Sequence, residues 1–461
     1  MAKKVDKDHC VKNGHSTNNV HNTNNDHCGN KDHKDEVELS RRKFLTLSMA
    51  LTSGLIFSKF GFAKTIAAKD PALSFMNPLN AQAEAVIVLW LAGAPSQFET
   101  FSPKPGSKNG GSTKAIQTNI SGIEISEHLP MLAGQMDKLT LIRTLTSKEG
   151  NHNRASYLMH TSYPPTGVVK NPSFGAITAK ELGGAKEFDL PYFISLTGPS
   201  YSAEFLGKEF SPYVIKDVKK PLQNIARYKD IDETRFSERM KILNELEDSF
   251  YKQKGLEDIN EHKLIYEKSV KMMNSPLIKA FDITEEPDVL KQAYGDNDFG
   301  KGCLMARRLV EQGVKFVEVT LDGWDTHNDN FTRSANLCKK LDPAFSTLVQ
   351  DLSQHGMLEK TIVLCMGEFG RTPSINANEG RDHYPDAFAC AIAGGGIKGG
   401  RVYGETNEDG NKIVSNPVTP GNLFATVSHQ LGIDYNKVIY SPQGRPLKYV
   451  NEGSVIEELV N

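Results

Sequence analysis

Apolar and polar positions alternate along this chain in two registers, one of short continuous runs and one of helical spacing. The run Ala85–Leu91 is unbroken by any polar residue and stops at Ala92-Gly93-Ala94-Pro95. A strand buried on both faces reads in this way. Similar runs occur at Leu139–Ile142, Tyr192–Leu196, Val314–Leu321, Thr361–Met366 and Phe388–Ala393. Helical patterns separate several of them. Between Ser334 and Leu352, Cys338, Leu341, Phe345, Leu348, Val349 and Leu352 recur at helical spacing, and Cys303–Gln312 is a shorter case. Strand–helix alternation predicts an α/β fold with a mainly parallel sheet and helices on both faces. The stretch from about 228 to 294 is rich in Glu, Lys and Asp, with Phe236, Met240, Leu243, Leu246 and Phe250 at helical spacing, and predicts a helical insertion. No 20–50-residue repeat is evident in the folded part.

Composition narrows the class. Of 461 residues, 38% are hydrophobic and 24% charged, which is enough for a buried core and excludes wholesale disorder. A net charge of −2 argues against a general nucleic-acid binder. No apolar run reaches the roughly 20 residues of a membrane-spanning helix.

The first 39 residues differ from the rest. His9, His15, His21, His27 and His33 are spaced six apart among Asn, Asp, Lys and Gly, with Cys10 and Cys28. So few apolar residues cannot offset ordering entropy, and residues 1–39 read as a disordered leader. Such a tract can be a solvated leader without a fixed role, or can bind Zn, Ni or Cu and load metal before export. Ser40-Arg41-Arg42-Lys43-Phe44-Leu45 then matches the twin-arginine export motif, followed by an apolar stretch to Phe57 and small residues around Ala63. Residues 40–63 therefore read as a signal peptide cleaved after Ala63, with Ala68 the alternative, and 64–83 as a linker. The expected location is periplasmic or secreted, with the twin-arginine translocase as export partner. A chain folded before export makes Cys303, Cys338, Cys365 and Cys390 poor disulfide candidates.

Polar clusters follow the strands. Ser96, Gln97 and Glu99 come after the first, and Asp322, Asp325 and His327 after the run ending at Leu321. Glu368, Arg371, Arg381, Asp382 and His383 follow Met366. Sites in open parallel sheets form at the carboxyl ends of strands. Carboxylates and imidazoles converging there predict a divalent-metal site, with Mg, Ca or Mn favoured by oxygen ligands and Zn or Mn by added His. The glycine run Gly394-Gly395-Gly396-Ile397-Lys398-Gly399 is followed by an extended or turn segment, Arg401–Tyr403, which excludes a dinucleotide fingerprint.

Several of these motifs resemble those of the domain of unknown function 1501 family. They are Trp324-Asp325-Thr326-His327, Gly367–Pro373, Gly380–Pro385 and Ala393–Gly400, with Ser126–Pro130, Phe299–Arg308 and Gly444–Pro446. The resemblance spans about Val86 to Leu459. It implies a place in the alkaline-phosphatase/sulfatase-like superfamily, hence a three-layer α/β/α fold over 84–461 and a one- or two-metal hydrolytic site. By that resemblance Glu99, Asp325, His327, Glu368 and His383 are metal ligands, with Arg371 and His152 as catalytic residues.

Two departures qualify the implied chemistry. The family's Gly-Gly-Pro-Ser-His-x-Asp after the first strand is replaced by Gly93–Glu99 with Gln97 and Glu99. Where superfamily enzymes place a Ser, Thr or modified Cys nucleophile, this chain has Asn151-His152-Asn153. His152 can serve as ligand, phosphoryl acceptor, general acid/base or plain helix-start hydrogen-bonder. The sulfatase C/S-x-P-x-R sequence is absent, because Ser441-Pro442-Gln443-Gly444-Arg445 has the wrong spacing. The expected function is an exported metal-dependent hydrolase acting on a phosphate ester, less so a sulfate ester, with a glycan or small phosphate ester as ligand. The alternative is a non-catalytic envelope scaffold that keeps the fold.

Overall fold

The first apolar run forms strand β1 (Ala85–Ala92), and its alternating side chains divide the core between two layers. Ile87, Leu89 and Leu91 join one apolar cluster, Val86, Val88 and Trp90 the other. The computed structural model describes residues 81–460 except 184–187, 221, 223–224, 226–229 and 255–256. The leader 1–39, the twin-arginine segment 40–63 and residues 64–80 of the linker lie outside the described residues.

Seven further strands complete the central sheet. They are β2 (Leu139–Leu145), β3 (Phe193–Leu196), β4 (Tyr213–Ile215), β5 (Phe316–Asp322), β6 (Thr361–Met366), β7 (Phe388–Ala393) and β8 (Arg401–Tyr403). Their spatial order is β8-β2-β7-β6-β1-β5-β3-β4. β1 lies parallel between β5 and β6, with Leu89 opposite both Val319 and Cys365. Only β7 runs against the rest, antiparallel to both β2 and β6. All six apolar runs are strands of this sheet. The glycine run leads into strand β8, not a helix, with Gly394, Gly395 and Gly396 all at positive φ.

Helices cover both faces. Helices α1 (His152–Thr161), α2 (Phe174–Leu182) and α7 (Pro420–Gln430) place Met159, Phe174, Ile177, Phe424 and Val427 against the layer that holds Val88. The opposite layer is covered by α5 (Asp298–Glu311) and α6 (Asn330–Gln354). The predicted stripe of α6, Cys338 to Leu352, is fully buried there. The result is a three-layer α/β/α arrangement. The charged stretch forms α3 (Glu233–Lys254) and α4 (Glu257–Asn274). Phe236, Met240 and Leu243 of α3 are half-buried, whereas Leu246 and Phe250 point to solvent. Among the described residues the four cysteines are buried and unpaired, and no helix is long and apolar enough to cross a membrane.

Two of the buried ion pairs among the described residues tie this framework together, where an isolated charge is too costly to keep. Glu99 and Arg381 are both fully buried and meet at 3.0 Å. The Arg381 guanidinium stacks on Phe98, 4.4 Å from the ring centroid, and also donates to the carbonyls of Asn109, Thr372 and Pro373. It thereby ties the segment after β1 to the loop after β6. The second pair joins α1 to β5: His160 Nδ1 donates to the Ser156 carbonyl, and Nε2 lies 3.2 Å from Glu318 Oε2. Burial opposes charge on His160, but Glu318 outweighs it and raises the imidazole above its ordinary 6.5.

Removing one partner of a buried pair costs about 3–5 kcal/mol. Glu99→Ala should therefore lower the unfolding free energy by that much in urea titrations; a change below about 1 kcal/mol would show that the pair contributes little. For His160, a raised folded pKa means the stabilisation is complete below 6.5 and fades as pH rises through the raised value. The stability lost in His160→Gln should accordingly be largest at acid pH, and a loss that grows with pH would contradict the assignment.

Candidate metal centre

Three strands and one helix deliver the polar clusters to a single point. β1 is followed by Gly93, at φ +102°, and Ala94, at φ 67°. A Cβ on Gly93 would stand 2.5 Å from the Asp325 amide nitrogen, so only glycine permits the close approach of the β1 and β5 ends. The Gly93 N–H donates to Glu368 Oε1 at 3.0 Å, and Glu368 lies two residues beyond β6. Helix α1 begins at His152, where the Asn151 side chain caps the helix by accepting from the Arg154 N–H. His383 sits on a two-residue strand, His383–Tyr384, antiparallel to Gly370–Arg371. That pairing folds the loop after β6 back over the strand ends.

His152, Asp325 and His383 bring one ligating atom each to within 4.8 Å of one another. His152 Nε2 is 3.4 Å and His383 Nε2 is 3.7 Å from Asp325 Oδ1. His327 stands at the edge of this trio, its Nε2 at 3.2 Å from the same oxygen and 2.9 Å from His383 Nε2. The far nitrogen of every ring is occupied. Nδ1 of His152 meets Glu368 Oε1 at 2.8 Å, Nδ1 of His327 meets Asp382 Oδ1 at 2.7 Å, and Nδ1 of His383 meets the Gly150 carbonyl at 2.7 Å. These oxygens are acceptors, so each neutral ring carries its proton on Nδ1 and turns a bare Nε2 lone pair inward.

Lone pairs packed in this way repel unless a cation lies among them. His152 Nε2 makes the point most directly, since it is buried and accepts no hydrogen bond. Burial pushes the His383 imidazole below its ordinary value, while the Glu368 hydrogen bond raises that of His152. Burial also pushes the Asp325 carboxyl up, but Arg371, at 2.6 Å, overrides it and holds the group below the usual carboxylate range. The donors thus fit a divalent ion: two imidazole nitrogens and a carboxylate, with a third imidazole adjacent. Three protein ligands with a position left open is the arrangement of catalytic sites, not structural ones. The centre opens to solvent, with 48% of the Asp325 side chain exposed.

The sequence-predicted residues part ways here. His152, expected among the catalytic groups, joins Asp325 and His383 as a candidate ligand. Glu368, expected as a ligand, touches His152 on the side away from the trio. Arg371, expected to be catalytic, is fully buried and faces inward. Its guanidinium donates to the carbonyls of Gly93, Ala94, Trp324 and Arg381 as well as to Asp325, so it positions that carboxylate and has no face toward a substrate. Glu99, also expected as a ligand, lies elsewhere, its two oxygens taken up by Arg381. Gln97 likewise faces the protein: its amide donates to the Arg371 carbonyl and accepts from the Arg371 N–H.

Three contributors were not legible beforehand. The Gly150 carbonyl carries no side-chain signal at all. Arg381 reads as one more loop cation until its aromatic and carboxylate neighbours are known. Glu318 did leave a trace, a lone charge inside an apolar strand run.

Comparison with known proteins places the chain further. No curated protein matches it. Among solved structures it is similar to the lipoteichoic acid synthase LtaP from Listeria monocytogenes, with 11% identity, a TM-score of 0.38, and coverage of 80% of this chain and 76% of that one. It is similar too to the C-terminal periplasmic domain of EcEptC from Escherichia coli in complex with Zn, at 9% identity and TM-score 0.36, covering 81% and 88%. A protein in the alkaline phosphatase superfamily from Vibrio parahaemolyticus matches at 11% and 0.32, covering 77% and 67%. A family model matches residues 83–460, nearly all of the described chain. By that match the chain belongs to the family described as Protein of unknown function (DUF1501).

Proposed function

We propose that the chain is an exported, metal-dependent hydrolase whose centre is His152, Asp325 and His383, with His327 beside them. Its substrate would be a phosphate ester, with a sulfate ester less favoured because the formylglycine sequence is missing. The observation that carries this reading is the buried, unpartnered Nε2 of His152, facing the Asp325 carboxylate with a ligating nitrogen of His383 in the same cluster. Mixed nitrogen and oxygen donors suit Zn or Mn better than Mg or Ca, which prefer all-oxygen surroundings. When bound, such an ion supplies Lewis-acid polarisation of an ester oxygen. The chain's own residues supply the rest. Arg371 fixes the Asp325 carboxylate, Glu368, Asp382 and the Gly150 carbonyl fix the three rings, and the exposed edge of Asp325 leaves room for a substrate to approach. The motif at Ser40–Leu45 supports export by the twin-arginine translocase to the periplasm or beyond.

A non-catalytic scaffold is the second reading, favoured by what stands at the start of α1. Asn151, His152 and Asn153 offer no hydroxyl or thiol nucleophile there, and Ser156 is a turn further into the helix.

Elemental analysis of tag-free protein should find bound metal, and Asp325→Ala or His383→Ala should remove it. Hydrolysis of aryl phosphates and phosphodiesters should fall by about a hundredfold or more in the same variants. Protein that holds no metal and stays inert with every added divalent ion would sink the hydrolase. Folded variants that keep the in-vivo phenotype would favour the scaffold.

A further inference from the structure

The three imidazoles of the centre are held by unlike acceptors. His383 leans on a backbone carbonyl, His327 on Asp382, and His152 on Glu368. The two carboxylates differ in their surroundings. Asp382 is 56% exposed, so water screens whatever charge it lends to His327. Glu368 is 2% exposed. Its Oε1 receives the Gly93 N–H and the His152 ring, and its Oε2 is buried without a hydrogen-bond partner.

Glu368 is therefore a carboxylate nearly out of water, with two N–H donors on one oxygen and none on the other. Two such bonds do not offset the cost of burying a full negative charge, so a positive charge has to lie close by. Arg371 does not bond to it; the guanidinium is taken up by Asp325 and four carbonyls. Among the described residues, the imidazole hydrogen-bonded to Glu368 is that of His152, through whose free Nε2 the centre is reached.

We infer that Glu368 is a positioning residue that acts on the metal through His152, fixing the ring's tautomer and raising its donor strength without touching the ion. This rests on the centre proposed above and adds the reason that centre should bind tightly. The buried carboxylate and the cation become mutual conditions: a cation on Nε2 polarises Nδ1–H toward Glu368, and the charge of Glu368 makes Nε2 a stronger donor. Gly93 is part of the device. Its N–H holds Oε1 in place, and its missing Cβ lets the β1 end approach closely enough to do so. Asp382 is the built-in comparison, a carboxylate with the same kind of bond but open to water.

The test uses the full, untagged chain loaded with Co²⁺ or Zn²⁺. Competition against a chromophoric chelator gives affinities, and the visible spectrum of the Co²⁺ form reports the ligand set. Glu368→Gln should weaken Zn²⁺ binding by about 10–100-fold while leaving the Co²⁺ spectrum unchanged in form. Asp382→Asn should weaken it less, and Asp325→Ala and His383→Ala should alter the spectrum itself. The inference is overturned if Glu368→Gln binds as tightly as the unaltered protein, if it loses no more than Asp382→Asn, or if its spectrum changes as a ligand variant's does. The unaltered protein gives a second reading that needs no variant to fold. Long-range ¹H–¹⁵N spectra should show the neutral His152 ring protonated at Nδ1, and a neutral ring carrying its single proton on Nε2 in the metal-free protein would overturn the assignment. If the unaltered chain binds neither ion, the proposed centre falls and this inference with it; if it binds but Glu368→Gln behaves as a ligand variant, only the inference falls.

Discussion

A single buried guanidinium organises the carboxyl ends of the strands. Arg371 reaches from the loop after β6 to the carbonyls of Gly93 and Ala94 at the end of β1, to Trp324 beyond β5, and to Arg381 further along its own loop. A guanidinium has five donors in a planar fork, and in the interior each needs an acceptor. Meeting that requirement draws three separate chain segments to one place. The fifth partner, Asp325, is the one whose other face opens to solvent. What holds the strand ends together thus also aims the carboxylate.

The acids of this protein differ in role because they differ in partner. Glu99 is matched by Arg381 and belongs to the core. Glu318 is matched by His160 and ties α1, the helix that begins at His152, to β5. Asp325 is held by Arg371 yet exposed. Glu368 is buried but has an imidazole in place of a guanidinium. Neutralising a carboxylate with a fixed cation removes it from metal chemistry, whereas pairing it with a ring whose second nitrogen is free passes its influence on. Electrostatic pairing has in this way sorted four similar side chains into two matched within the core and two at the proposed centre.

The sheet was legible because burial on both faces leaves a mark that needs no partner to interpret. All six apolar runs became strands, and the stripe from Cys338 to Leu352 became the buried face of α6. On α3 the same helical spacing was less informative: Leu246 and Phe250 fit the pattern but face solvent, since spacing gives a helix face and not what covers it. At the site the motifs mark loops that the tertiary structure brings together, but not which partner each side chain takes. Glu99 and Glu368 stand where ligands were expected, and both carboxylates are turned to other partners. Arg371, expected among the catalytic residues, is fully buried.

By itself, the sequence determined the layering, the strand ends on which the polar clusters fall, and the membership of most residues in one neighbourhood. Those follow from local periodicity and from the rule that parallel strands present their carboxyl ends together. Which carboxylate meets a cation, which nitrogen of each imidazole faces inward, and that Gly150 supplies a carbonyl to His383 were decided only in the tertiary structure. Each of these depends on atoms brought together from segments up to 282 residues apart, as Glu99 and Arg381 are. A charge buried at such a contact takes its chemical character from the group opposite, and nothing in its own sequence neighbourhood records what that group will be.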